Sequence, residues 1–93
     1  MNILLLVGKV IRTKQVTDHD VILTIRVHRH DDIYDEIPVL LHEYLSAFAI
    51  NAIYKDELIS VRGEVRVIDG VVTIYSTRIT KLGGKEWYYV THL

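Results

Sequence analysis

One segment of this chain keeps a helical period, and its position among strands limits the fold more than any other feature. In HEYLSAFAINAIYK, residues 42–55, Tyr44, Leu45, Phe48, Ala49, Ala52 and Ile53 recur at helical spacing, which predicts an amphipathic helix of about three turns. The flanking segments keep a period of two. Residues 2–16 are apolar and β-branched around Gly8, and a glycine inside such a run predicts a bend or a bulge. TDHD at 17–20 is a polar hairpin connection, and VILTIRVHRH follows it. There Val21, Leu23, Ile25 and Val27 share one face, the expected core face, with Ile22, Thr24, Arg26 and His28 on the other.

Residues 31–36 read as an acidic loop and EIPVLLH as a third strand, with an edge or bulged position at Pro38, which cannot donate a ladder bond. After the helix, DELISVRGEVRV places Ile59, Val61, Val65 and Val67 on one side and Arg62, Glu64 and Arg66 on the other. Asp69-Gly70 is a hairpin turn, and VVTIYSTRITKL is the fifth strand. Gly83-Gly84 breaks it, and KEWYYV adds a short strand or docks elsewhere. The order β-β-β-α-β-β is that of a five-stranded oligonucleotide-binding (OB) barrel, all-β with one helix between strands 3 and 4. An unrelated small α+β sheet of the same order is the alternative. The expectation is one domain over 1–93, with the barrel at about 2–82 and a C-terminal extension at 83–93.

The 93 residues include no cysteine, which excludes disulfides and thiolate metal sites. A hydrophobic content of 49% suits a folded domain. MNILLLVG lacks a basic leader, and Lys9 interrupts the run too early for a membrane span, so a soluble cytoplasmic protein is expected. Net charge is −1, but its distribution is uneven. Lys9, Arg12, Lys14, Arg26, Arg29, Arg62, Arg66, Arg78 and Lys81 lie in or beside apolar segments, whereas many acids fall where turns are expected. Such a layout gives a local positive surface on a near-neutral chain. Ordinary strand faces decorated with Lys and Arg are the plainer reading.

NILLLVGKVIR resembles the opening of bacterial single-stranded DNA-binding proteins, an apolar strand running into V-x-G-x-[LV] and a basic residue. EIPVLLHEYLSAFAINAIYKDELISVRGEVRV is similar to their third strand, helix and fourth strand, with Lys55-Asp56 at the turn and Val61-Arg62-Gly63-Glu64-Val65 after it. The short primosomal replication protein N also resembles the chain, notably at IPVLL. The resemblance spans about residues 2–82. It implies non-catalytic binding of single-stranded DNA or RNA by homo-dimers or homo-tetramers, with a role in replication, recombination or repair and replication or primosome proteins as possible partners. Two departures stand out. Glu36 occupies a position where the family carries a stacking aromatic, with His42 where a second is common. No Gly/Pro-rich linker or acidic tip follows the barrel, which suggests a minimal form such as a primosome-type or mobile-element accessory protein.

Phosphates would be neutralised by Arg12, Arg26, His28, Arg29, Arg62, Arg66 and Arg78. Tyr34, in the loop between strands 2 and 3, and His42 and Tyr75 would offer ring faces to bases. Each has a plainer role: a solvated strand end for His28 and Arg29, a cross-strand ion pair for Arg62 and Arg66, buried packing for Tyr75. Tyr44 and Tyr54 read as core or rim, and Trp87, Tyr88 and Tyr89 as a cluster facing a neighbouring subunit. His28 and His30 have the spacing of metal ligands on a strand, but no motif completes a set with Asp31, Asp32 or His42. No metal, cofactor or catalytic residue is expected. The serines lack a His and an acid in a nucleophile setting, and Gly83-Gly84 is no phosphate loop. A protein–protein adaptor that binds nucleic acid weakly or not at all is the rival, favoured by Glu36 and the near-neutral charge.

Overall fold

The computed structural model describes residues 2–83. Five strands, β1 (Leu4–Gln15), β2 (Asp20–His30), β3 (Ile33–His42), β4 (Leu58–Ile68) and β5 (Val71–Gly83), and one helix, α1 (Tyr44–Ala52), form a closed barrel in the order β1-β2-β3-β5-β4. This is the five-stranded architecture with one helix that the strand order predicts.

β1 serves two neighbours in turn. Leu4–Lys9 pairs with β4, and Lys9–Gln15 pairs with β2. Gly8 stands at the changeover. A Cβ there would lie 2.3 Å from the Arg26 carbonyl oxygen, so only glycine lets β1 and β2 come this close. The bulge itself falls later, between Val10 and Arg12, rather than at Gly8. The barrel closes through one parallel pair, Leu40 with Tyr75, and Gly63 permits a second close approach, to the Tyr75 carbonyl. Because β5 meets β3 only at Leu40, Pro38 lies on an open edge, as a residue without an N–H requires.

Val21, Leu23, Ile25, Val39, Leu41, Ile59 and Val61 fill the interior. α1 plugs one end with Leu45 and Ala49, packing on β2 and β3. The helix is shorter than the three turns its period predicts. Ile53 turns extended and inserts into the core, which ends the helix at Ala52. Lys81 Nζ donates to the Ala52 carbonyl at 2.7 Å, placing a cation at the helix C-terminus, where the dipole favours one. Tyr44 shares the apolar spacing yet is 74% exposed, while Leu45 and Ser46 beside it are buried.

Val65 and Val67 continue the side of Ile59 and Val61 beyond the core. The β4–β5 hairpin outlasts the barrel, leaving Val67 71% and Val72 73% exposed, with Asp69 and Gly70 both at positive φ in the turn. The acidic loop at 31–36 shrinks to Asp31-Asp32, and β3 begins at Ile33. Cross-strand partners hold the extra length: Arg29 with Asp35, and His28 with Tyr34.

Candidate nucleic-acid interface

The face of β2 turned away from the core carries Ile22, Thr24, Arg26 and His28, of which Arg26 and His28 are exposed and Thr24 is buried, and the register sets Glu36 opposite Arg26 and Tyr34 opposite His28. Tyr34 is therefore a strand residue, held on a rigid ladder and still 53% exposed. The His28 and Tyr34 ring centroids are 5.1 Å apart at a 45° tilt, and the Arg26 guanidinium lies 5.9 Å from the Tyr34 ring centre. These three side chains line an open pocket of about 400 Å³ with Val7, Gly8, Lys9 and Leu58. Lys9 enters because β1 swings across at Gly8, setting Lys9 opposite Arg26. Three basic side chains thus surround one exposed aromatic face. No acidic side chain lines the pocket, and no ion pair engages Lys9 or Arg26 among the described residues.

Other candidates are engaged by neighbours. Arg12 bonds Glu36 at 3.3 Å. Arg29 makes a two-point pair with Asp35 at 2.6 and 3.1 Å; this bond raises the arginine pKa and lowers that of Asp35. Arg66 is held by Glu64 and covers the Tyr75 ring, its guanidinium carbon 3.8 Å from the ring centre. One face of Tyr75 is thereby occupied. Arg62 and Arg78 sit directly opposite each other on β4 and β5, both exposed, with no carboxylate partner among the described residues. Like charges placed this way oppose folding slightly, and an anion laid across them would relieve the repulsion. The ten candidates thus fall into separate groups, with Arg26, His28 and Tyr34 in one pocket and Arg62 beside Arg78 on another part of the wall.

His42 follows a different chemistry. Its Nδ1 bonds Asp20 at 2.6 Å and its Nε2 lies 3.3 Å from Glu43. The Asp20 hydrogen bond raises the imidazole pKa most, with the charges of Asp20 and Glu43 adding to it against desolvation. The same bond, with one from Thr17, lowers the pKa of Asp20. His42's folded pKa exceeds its unfolded one, so its contribution to stability is complete below about pH 6.5 and is lost as pH rises through the folded value. Asp20's is depressed, so its contribution is complete above about pH 3.8 and is lost as pH falls through the folded value. The melting-temperature gap between the native chain and His42→Gln should be widest near about pH 5 and narrow above about pH 7. Melts across that range check it, and a gap constant to about pH 9 contradicts it.

His28 and His30 do not form a chelating pair. The register shifts between them, His28 Nε2 donates to the Asp31 carbonyl at 2.6 Å, and His30 lies 3.6 Å from the Asp31 carboxylate. Among the described residues no group of three or more His, Cys, Asp or Glu is placed to hold a metal ion. No helix among them is long and apolar enough to cross a membrane. Trp87, Tyr88 and Tyr89 lie outside the described residues.

Solved structures share this architecture. A small single-stranded DNA-binding protein from Mycoplasma pneumoniae superposes with a TM-score of 0.71 at 20% identity, over 87% of this chain and 93% of that one. The dimeric N-terminal domain of PriB from Thermoanaerobacter tencongensis gives 0.69 at 18%, over 86% and 94%. The mitochondrial single-stranded DNA-binding protein of S. cerevisiae gives 0.76 at 13%, over 89% and 95%. The chain has their OB-fold. No family model matches it, and no curated protein does. Within this OB-fold, Lys9 is the basic pocket residue missing from the sequence-derived set. Its signal was present in Gly8-Lys9, since a glycine that admits a neighbouring strand also brings the next side chain against it.

Proposed function

We propose that this chain binds single-stranded nucleic acid, DNA above all, without catalysis and as a homo-oligomer, in replication, recombination or repair. One observation carries the reading: the exposed Tyr34 ring ringed by Lys9, Arg26 and His28. An unpaired base stacks on such a ring whatever its identity, while the cations take adjacent phosphates. Duplex bases are already stacked and offer no free face. A strand laid across the pocket continues over Val7 and Leu5 toward Arg62 and Arg78, which follow on the paired outer faces of β1, β4 and β5. Self-association is supported by the same strand. Among the described residues Leu4–Val7 pairs with β4 alone, and Leu5 on its outer face is 66% exposed, a surface and an edge that a second copy would cover. The cytoplasm is the expected compartment, and replication or primosome proteins are candidate partners.

Titrating labelled oligo-dT at several salt concentrations tests the reading. Binding should weaken steeply with salt, log K falling with a slope of about −0.7 per phosphate contacted. The ion pairs Arg12–Glu36, Arg29–Asp35 and Arg66–Glu64 favour a second reading. They neutralise three of the candidate cations, as expected of an OB-type protein adaptor. An adaptor shows weak or no oligo-dT binding even at low salt.

A further inference from the structure

The base of the β4–β5 hairpin fixes one guanidinium in place. Glu64 and Arg66 share the face of β4 turned away from the core, and the register sets Glu64 opposite Tyr75 and Arg66 opposite Thr73. Tyr75 is therefore the diagonal neighbour of Arg66, within reach of a long side chain. Its backbone is pinned where the barrel closes, paired with Leu40 and approached at its carbonyl by Gly63. Nε and Nη2 of Arg66 both donate to Oε1 of Glu64. The guanidinium carbon stands 3.8 Å from the Tyr75 ring centre, a distance that only face-on contact allows. The ring thus backs one face of the guanidinium, and the carboxylate holds its edge and offsets its charge. The Arg66 side chain is still 45% exposed, so its second flat face is open to solvent.

Unpaired bases stack on guanidinium planes as they do on aromatic rings. A plane already held in position loses little freedom when a base lands on it. Arg66 also lies on the same side of the wall as Tyr34. Tyr34, Pro38 and Leu40 alternate on one face of β3, and Leu40 pairs with Tyr75. Leu40 is six residues beyond Tyr34, about 20 Å of strand. A largely apolar groove of about 370 Å³ follows that stretch, with Ile22, Pro38, Leu40 and Thr73 in its walls. We propose that Arg66 is a second base-stacking platform, its guanidinium set between Glu64 and Tyr75 so that a strand leaving the Tyr34 pocket along β3 lays a base, not a phosphate, on it. The inference rests on the nucleic-acid reading and assigns Arg66 a part in it that depends on shape rather than charge.

Titrations of the full chain with labelled oligo-dT long enough to span both platforms test it, using Arg66→Ala, Arg66→Lys and Arg66→Tyr at several salt concentrations. Arg66→Ala should bind at least about fivefold more weakly, with the slope of log K against log salt unchanged. Arg66→Lys keeps the charge without the plane and should lose as much. Arg66→Tyr keeps a plane without the charge and should retain most of the affinity. The position is exposed, so all three melts should stay close to that of the native chain. Native affinity in Arg66→Ala overturns the proposal. So does rescue by Arg66→Lys but not Arg66→Tyr, with a slope shallower by about 0.7 in Arg66→Ala, because Arg66 would then be a phosphate ligand. A native chain that binds no oligo-dT overturns the nucleic-acid reading itself, and this inference with it.

Discussion

Replacing Tyr34 by Ala should weaken oligo-dT binding about 5- to 150-fold, the equivalent of about 1–3 kcal/mol of lost base stacking. The loss should be similar for all base compositions, because a ring face reads no base edge. Tyr34 is half exposed on a paired strand, so the melt should change little. Tyr34→Phe keeps the ring and should retain most of the affinity. Fluorescence anisotropy at one fixed salt concentration measures all three proteins. An unchanged affinity for Tyr34→Ala would remove the pocket from the binding surface.

The second large effect is on the fold itself. Gly8→Ala drives a methyl group to 2.3 Å from the Arg26 carbonyl oxygen and 3.0 Å from its carbon. Both are backbone atoms, so no side-chain rotation relieves the clash, and β1 must move away from β2. Overpacking of this kind costs about 1–3 kcal/mol and occasionally more, so the melting temperature should fall by about 10–20 °C. Arg26 is the residue displaced, so binding should also fall in protein that stays folded. Thermal melts and anisotropy on the same sample check both. A variant as stable as the native chain would mean that the β1–β2 approach is looser than described.

The elements were legible wherever local chemistry decides them. The strict alternation from Val21 to Val27, the single helical-period segment and Asp69-Gly70 each settle their own backbone. Residues placed by distant partners were not legible. Tyr34 reads as a loop residue because Asp31, Asp32, Asp35 and Glu36 surround it, but cross-strand bonds from Arg29 and Arg12 turn two of those acids into ladder partners. The period of Val65 and Val67 is correct, yet alternation does not say where the barrel wall stops. Among the site candidates, Arg26 and Arg29 look alike in sequence. Glu36, opposite Arg26 in the register, bonds Arg12 and leaves Arg26 in the open pocket, whereas Arg29, at the register shift, bonds Asp35. Arg62 and Arg66, four residues apart on β4, also look alike, yet only Arg66 meets Glu64 and Tyr75.

That difference between open and engaged cations is what the salt dependence of oligo-dT binding reads out. Lys9→Ala with Arg26→Ala should make the slope of log K against log salt shallower by about 1.4, the loss of two phosphate contacts on a single strand. Arg29→Ala with Arg66→Ala should leave it nearly unchanged, because Asp35 and Glu64 already hold those side chains. If the second pair flattened the slope and the first did not, the strand would lie elsewhere on the barrel, and the pocket around Tyr34 would not be its site.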